Sequence, residues 1–92
     1  MNNERCFVWR FKQKQKAIHE TAREKGWHDK LQDDGTFIAL MHSELSEGLE
    51  WLRHGNPKSD HISEFSGCEE ELADVIIRIM DFAELKGFRV AE

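Results

Sequence analysis

Residues 36–53 read Thr36-Phe37-Ile38-Ala39-Leu40-Met41-His42-Ser43-Glu44-Leu45-Ser46-Glu47-Gly48-Leu49-Glu50-Trp51-Leu52-Arg53. Their apolar residues return every three or four positions, which is the period of an amphipathic helix. Stepping 100° per residue from Phe37 places Met41, Leu52, Leu45, Ile38 and Leu49 at about 40–120°, with Leu40 and Trp51 at about 300–320°. Glu44 falls at about 340°, inside that apolar arc, Glu47 at about 280° on its edge, and Glu50 at about 220° on the polar side. Glu44 should therefore point toward the core, Glu47 border it and Glu50 meet solvent. A carboxylate in a core is costly unless it is paired, hydrogen-bonded or bound to a metal. Two readings stay open here: a blurred arc edge with Glu44 salt-bridged to an Arg or Lys, or a carboxylate held for a metal.

The chain on either side reads the same way. Helix signals begin at Asp34 or Thr36 and stop at Gly55 and Pro57, in the clearest loop, Gly55-Asn56-Pro57-Lys58-Ser59-Asp60. An earlier helix is expected over about Arg5 to Lys25, with Phe7, Phe11, Ile18 and Ala22 in one narrow arc and Gly26 as its stop. A later one is expected over about Cys68 to Lys86, N-capped by Ser66 and stopped by Gly87, with Glu69, Glu70 and Glu71 at its positive end. On that helix Leu72, Val75, Ile76, Ile79, Phe82 and Ala83 form an apolar face. Glu71, Asp74, Arg78 and Asp81 form a charged stripe beside it, which by itself reads as solvent-exposed helix. No stretch alternates at period two. The fold class is all-α: antiparallel helices in a four-helix-type bundle. About 36 apolar residues give three helices only a thin core, so homo-oligomerisation, as a homodimer or a dimer of dimers, is expected to complete the bundle.

Composition sets the limits. Ninety-two residues, 39% apolar with one proline, suit one domain spanning 1–92 and exclude a disordered tail or a membrane span. Thirteen basic and eighteen acidic residues give a net charge of −5, which argues against binding duplex nucleic acid. Nucleotides would need a metal to offset the carboxylates. Cys6 and Cys68 lack any CxxC or CxxH spacing, so no zinc site is suggested by them. Two isolated thiols and a polar N-terminus fit a reducing cytoplasm.

The acids repeat a spacing. Glu44-x-x-Glu47 and Glu71-x-x-Asp74 are both i, i+3 pairs, each on one helix face. Antiparallel packing of the two helices could bring all four carboxylates together. Left alone they would repel one another and some pKa values would rise. Mg²⁺, which takes a few carboxylates together with substrate phosphates and water, would turn them into a site for a phosphate chain.

Glu44-Leu45-Ser46-Glu47, an interval of 23 residues, and Glu71-Leu72-Ala73-Asp74 resemble the ExxE…ExxD signature of the MazG-like all-α nucleotide pyrophosphohydrolases. That group includes dimeric dUTPases, dCTP pyrophosphatases and phosphoribosyl-ATP pyrophosphatases. Glu70-Glu71-Leu72-Ala73-Asp74-Val75-Ile76-Ile77-Arg78 is similar to the second motif helix. The stretch from His19 to Gly26-Trp27-His28 is similar to the end of the family's first helix. The resemblance covers roughly residues 15 to 87. It implies a Mg²⁺-dependent cut between the α- and β-phosphates of a nucleoside triphosphate, giving monophosphate and pyrophosphate, with Mn²⁺ as a substitute ion. Carried over motif by motif, Glu44, Glu47, Glu71 and Asp74 would be the metal ligands and the catalytic residues. Glu47, closer to solvent than Glu44, is preferred for orienting the water.

Other positions carry weaker expectations for the substrate. Trp27 stands where the family places an aromatic near the base, or caps the core. His19 matches a base-contacting position in some relatives, though a plain surface histidine is the simpler reading. Trp51 reads first as core packing. Arg78 either holds a phosphate or pairs with Asp74 or Asp81. Lys58 and Arg53 offer phosphate charge from the loop. Asp81 reads as a solvated acid. Gly48, inside a helix, suggests close helix approach or ligand clearance. Many relatives continue into a further helix and a basic tail, which this chain is expected to lack. The competing reading is a non-catalytic helical dimer, an interaction or regulatory module.

Overall fold

A computed structural model describes residues 2–92 and is all-helical. Helix α1 spans Asn3–Glu24, α2 Asp34–Arg53 and α3 Gly67–Lys86. Among the described residues extended pairing is limited to an isolated bridge, Lys58 with Ser66. None of the helices is long and apolar enough to cross a membrane.

Local chemistry explains where the helices begin. The Asn2 side chain accepts from the Arg5 N–H at 2.8 Å, so α1 starts two residues before the expected Arg5. Asp33 Oδ1 accepts from the Thr36 N–H at 2.7 Å and the Thr36 hydroxyl at 2.9 Å, fixing the start of α2. Ser66 caps α3 as expected, its hydroxyl accepting from the Glu69 N–H at 3.2 Å. The Glu69 carboxylate in turn accepts from the Ser66 N–H at 3.1 Å, a reciprocal capping box. The ends are equally local. Gly26, Gly55 and Gly87 all take positive φ, and each helix closes with the paired backbone bonds of a Schellman motif, such as Asn56 N–H to Trp51 O and Gly55 N–H to Leu52 O.

The chain forms two compact units. The first joins the residues up to Gln32 to Ile79–Glu92 and so contains α1 and the end of α3. Pairs of rising and falling number, Lys12 with Glu92, Gln15 with Glu84 and His19 with Asp81, make these segments antiparallel. Ala22, Met80, Phe82 and Ala83 are its buried apolar residues. The stripe expected on α1 is rotated. Phe7 is 59% exposed and stacks beside Phe11, while the buried positions are Gln15, His19 and Ala22. His19 is therefore a buried residue and not the surface histidine expected.

The second unit, Asp33–Arg78, holds α2 and the first half of α3. Glu44 meets Arg78, Gly48 faces Glu71 and Trp51 lies on Gly67, so these helices are antiparallel too. A Cβ on Gly67 would fall inside the Trp51 indole, so the indole lies directly on the glycine. Val75 is buried, but Leu72 and Ile76, expected on the apolar face, are half-exposed. Glu71, expected in a solvated stripe, is buried, and Asp81 further along the same helix is 2% exposed. The inward face of α3 is thus turned toward its charges. That is tolerable because each buried charge is matched by a neighbour or a proton, as the sites below show.

Candidate metal and substrate site

Glu71 is the centre of the second unit's polar cluster. Ligand atoms of Glu44, Glu47 and Glu71 lie within 4.8 Å of one another, as do those of Glu70, Glu71 and Asp74. Glu71 belongs to both groups, so the two motifs converge through it. The antiparallel crossing explains this. Glu44 and Gly48 are one turn apart on α2, and Glu71 of α3 packs against Gly48. A Cβ at Gly48 would sit 3.6 Å from the Glu71 Cβ and 3.9 Å from the Cys68 sulfur, which is ordinary contact. The close approach anticipated for Gly48 is present, and alanine would still fit.

The electrostatics follow from this crowding. Burial, then hydrogen bonds with Glu44 and Glu47 and the charges of both, push the Glu71 carboxyl up to about 8. Its Oε2 is buried and receives no hydrogen-bond donor. Burial, then the charges of Glu44 and Glu70, also raise Asp74, against the opposing charge of Arg78. Burial would raise Glu44 as well. The hydrogen bond with Glu71, the bond and charge of Arg78, and the hydrogen bond with Glu47 together outweigh it and hold Glu44 below the ordinary carboxyl range. Arg78 Nε donates to Glu44 Oε1 at 3.1 Å. Arg78, expected to hold a phosphate or to pair with Asp74 or Asp81, thus bonds Glu44, and its charge also acts on Asp74. The salt-bridged and metal-ready readings of Glu44 are both compatible with this geometry, since the pair leaves Glu71 and Glu47 facing Glu44 as well.

Glu70 was missed by sequence reasoning, which gave it to the helix dipole. Its carboxylate accepts from the Ser59 hydroxyl and lies 3.1 Å from His61 Nδ1. These contacts tie the loop between α2 and α3 to the cluster. The signal available was the i, i+4 spacing of Glu70 and Asp74, which resembles any other charged stripe.

A cavity of about 380 Å³ opens beside the carboxylates, lined by Glu47, Glu50, Trp51, His54 and Glu71. Trp51 is only half-buried, with one face against Gly67, so its role is packing at one side and cavity wall at the other. Glu50 is exposed as expected, and Glu47, expected on the border of the apolar arc, is exposed as well. Lys58 is exposed in the loop, paired by its backbone with Ser66. His19 and Trp27 belong to the first unit. His19 is closed off by Asp81, while Trp27 is 39% exposed.

No family model matches this chain, and neither a curated protein nor a solved structure matches it significantly.

Proposed function

We propose that the chain is a Mg²⁺-dependent nucleoside triphosphate pyrophosphohydrolase, cutting between the α- and β-phosphates to release nucleoside monophosphate and pyrophosphate. The observation that carries this reading is Glu71: a buried carboxyl with an undonated oxygen, raised to about 8 by its burial and then by the facing Glu44 and Glu47. A carboxyl in that position is satisfied either by a proton or by a cation. The donor set is all carboxylate oxygen, the chemistry hard divalent ions select. Glu44, Glu47, Glu71 and Asp74 would hold the ion. When bound, Mg²⁺ neutralises phosphate charge and favours in-line displacement at phosphorus.

The remaining work falls to the chain. Trp51 gives the cavity an aromatic wall on which a base can stack, and His54 offers a hydrogen-bonding group at its edge. Exposed Glu47 orients the attacking water and accepts its proton as the new P–O bond forms and the bridging P–O bond breaks. Arg78 holds Glu44 in its ionised form. The protein works in the reducing cytoplasm, in keeping with its two free cysteines.

A second copy is expected to complete the bundle. Ile38, Leu45, Leu49 and Leu52 of α2 and Leu72 and Ile76 of α3 are all 43–55% exposed. Helical stepping places both sets on one side of the antiparallel pair, away from Glu47 and Asp74. This face also supports the second reading, a non-catalytic helical dimer.

Incubation with a panel of canonical and modified triphosphates plus Mg²⁺ tests the enzyme. Monophosphate and pyrophosphate are expected for at least one substrate, and Glu44→Gln and Asp74→Asn should each remove activity while helix content persists. Metal binding without turnover of any triphosphate would refute catalysis. A melting midpoint indifferent both to Mg²⁺ and to a non-hydrolysable nucleotide would favour the helical module.

A further inference from the structure

The first unit contains a second convergent cluster that shares no residue with the carboxylates above. His19 Nδ1 lies 2.8 Å from Asp81 Oδ1, and His28 Nε2 lies 2.8 Å from that same oxygen and 3.0 Å from Oδ2. The two imidazole centroids are 5.0 Å apart. Asp81 is 2% exposed and has the largest of the fully buried side chains. His19 is buried, and the His28 ring is almost so. One ligand atom from each of the three lies within 4.8 Å of the others.

We propose that His19, His28 and Asp81 form a binding site for a first-row transition-metal ion of the Zn²⁺ class. Two imidazole nitrogens and one carboxylate oxygen, with a fourth position left to water, are a donor set that such ions favour and that Mg²⁺ does not. The geometry is close to what coordination needs. Ligands about 2.0–2.1 Å from a tetrahedral ion stand about 3.3 Å from one another. The observed 2.8 Å separations therefore have to open by about half an ångström, while the two facing imidazole nitrogens, within 4.8 Å of each other, settle to the same spacing. His28 can make that movement because it stands on the loop after α1, while His19 and Asp81 are fixed on helices. Without metal, the facing nitrogens hydrogen-bond with Asp81. With it, each imidazole carries its proton on the other ring nitrogen, and Asp81 supplies the anionic oxygen.

The surroundings add a second observation. Gln15, one turn before His19 on the same face of α1, is 6% exposed. Its Nε2 donates to Glu84 Oε1 at 3.0 Å, but its Oε1 receives no donor. A metal-bound water is a donor of the kind this buried oxygen lacks. The ion would also join residues 53 and 62 positions apart in sequence, so its binding is linked to folding of this unit.

The test is Co²⁺ titration of the purified, chelator-treated full chain in millimolar Mg²⁺, added to compete Co²⁺ off the carboxylates of the other unit. One Co²⁺ per chain with the visible bands of a four-coordinate nitrogen–oxygen site is expected. Zn²⁺ should displace it and raise the melting midpoint. Both signals should disappear in His28→Gln, whose loop position spares the helices, and persist in Glu47→Gln. Asp81→Asn should also lose them, but if it fails to fold His28→Gln decides. The proposal is overturned if the wild-type chain shows neither band nor Zn²⁺-induced shift, if the spectrum carries thiolate charge transfer from a cysteine, or if Glu47→Gln abolishes the signal and His28→Gln does not.

Discussion

Replacing Glu71 with Gln should stabilise the metal-free protein at alkaline pH and leave it nearly unchanged in acid. The reason lies in the proton. The folded chain holds the Glu71 proton to about pH 8, whereas an unfolded carboxyl releases it near its ordinary value of 4.5. Below 4.5 both states keep the proton, and above about 8 neither does. Between those values the folded state alone binds it, so stability falls as pH rises through the window. Glu44, held low, acts below 4.5 and leaves the window untouched. Each pH unit across the window costs about 1.4 kcal/mol, which sets a ceiling of about 4 kcal/mol by pH 7.5. Water reaching the cluster past exposed Glu47 screens this to about 1–3 kcal/mol. For a chain of this size Glu71→Gln should then raise the melting midpoint at pH 8 by on the order of 5–20 °C. Thermal melts from pH 4.5 to 8.5 with chelator present measure it, and the gain should grow steadily from near zero. In Mg²⁺ the wild-type midpoint should rise and that of the variant should move little. A variant less stable than wild type at pH 8, or a gain independent of pH, would refute the argument that Glu71 is a crowded, proton-holding carboxyl.

Three further outcomes follow from the packing. Gly48→Ala should raise stability by about 1 kcal/mol in urea denaturation, because the added methyl meets only ordinary contacts and helix propensity improves. Gly67→Ala should lower stability by about 1–3 kcal/mol and shift Trp51 fluorescence, since its Cβ would displace the indole from the wall of the cavity. Asp33→Ala should fray the first turn of α2, read as faster amide exchange at Thr36. In the wild type the same fraying should set in at acid pH. The backbone bond from Thr36, and then its hydroxyl, hold Asp33 below the ordinary range, so that cap is present above pH 3.8 and lost as pH falls through the lowered value.

The sequence by itself determined the helices and their ends. Capping by Ser66 and termination at Gly26, Gly55 and Gly87 depend on residues within four or five positions of one another, and helix geometry converts such spacings directly into structure. The inward tilt of Glu44 and the exposure of Glu50 were legible for the same reason. Tertiary structure decided the rest. Which face of α3 turns inward depended on what waited opposite it: Gly48 with Glu44 for Glu71, and two imidazoles for Asp81. Periodicity ranks Asp81 and Leu72 by polarity alone and so exposed the wrong one. Glu70 joined the cluster, Arg78 found Glu44 and His19 was buried through contacts spanning 9 to 62 positions. Such pairings are set by how helices cross, and the free energy of burying a charge depends on the partner found there, which no local spacing encodes.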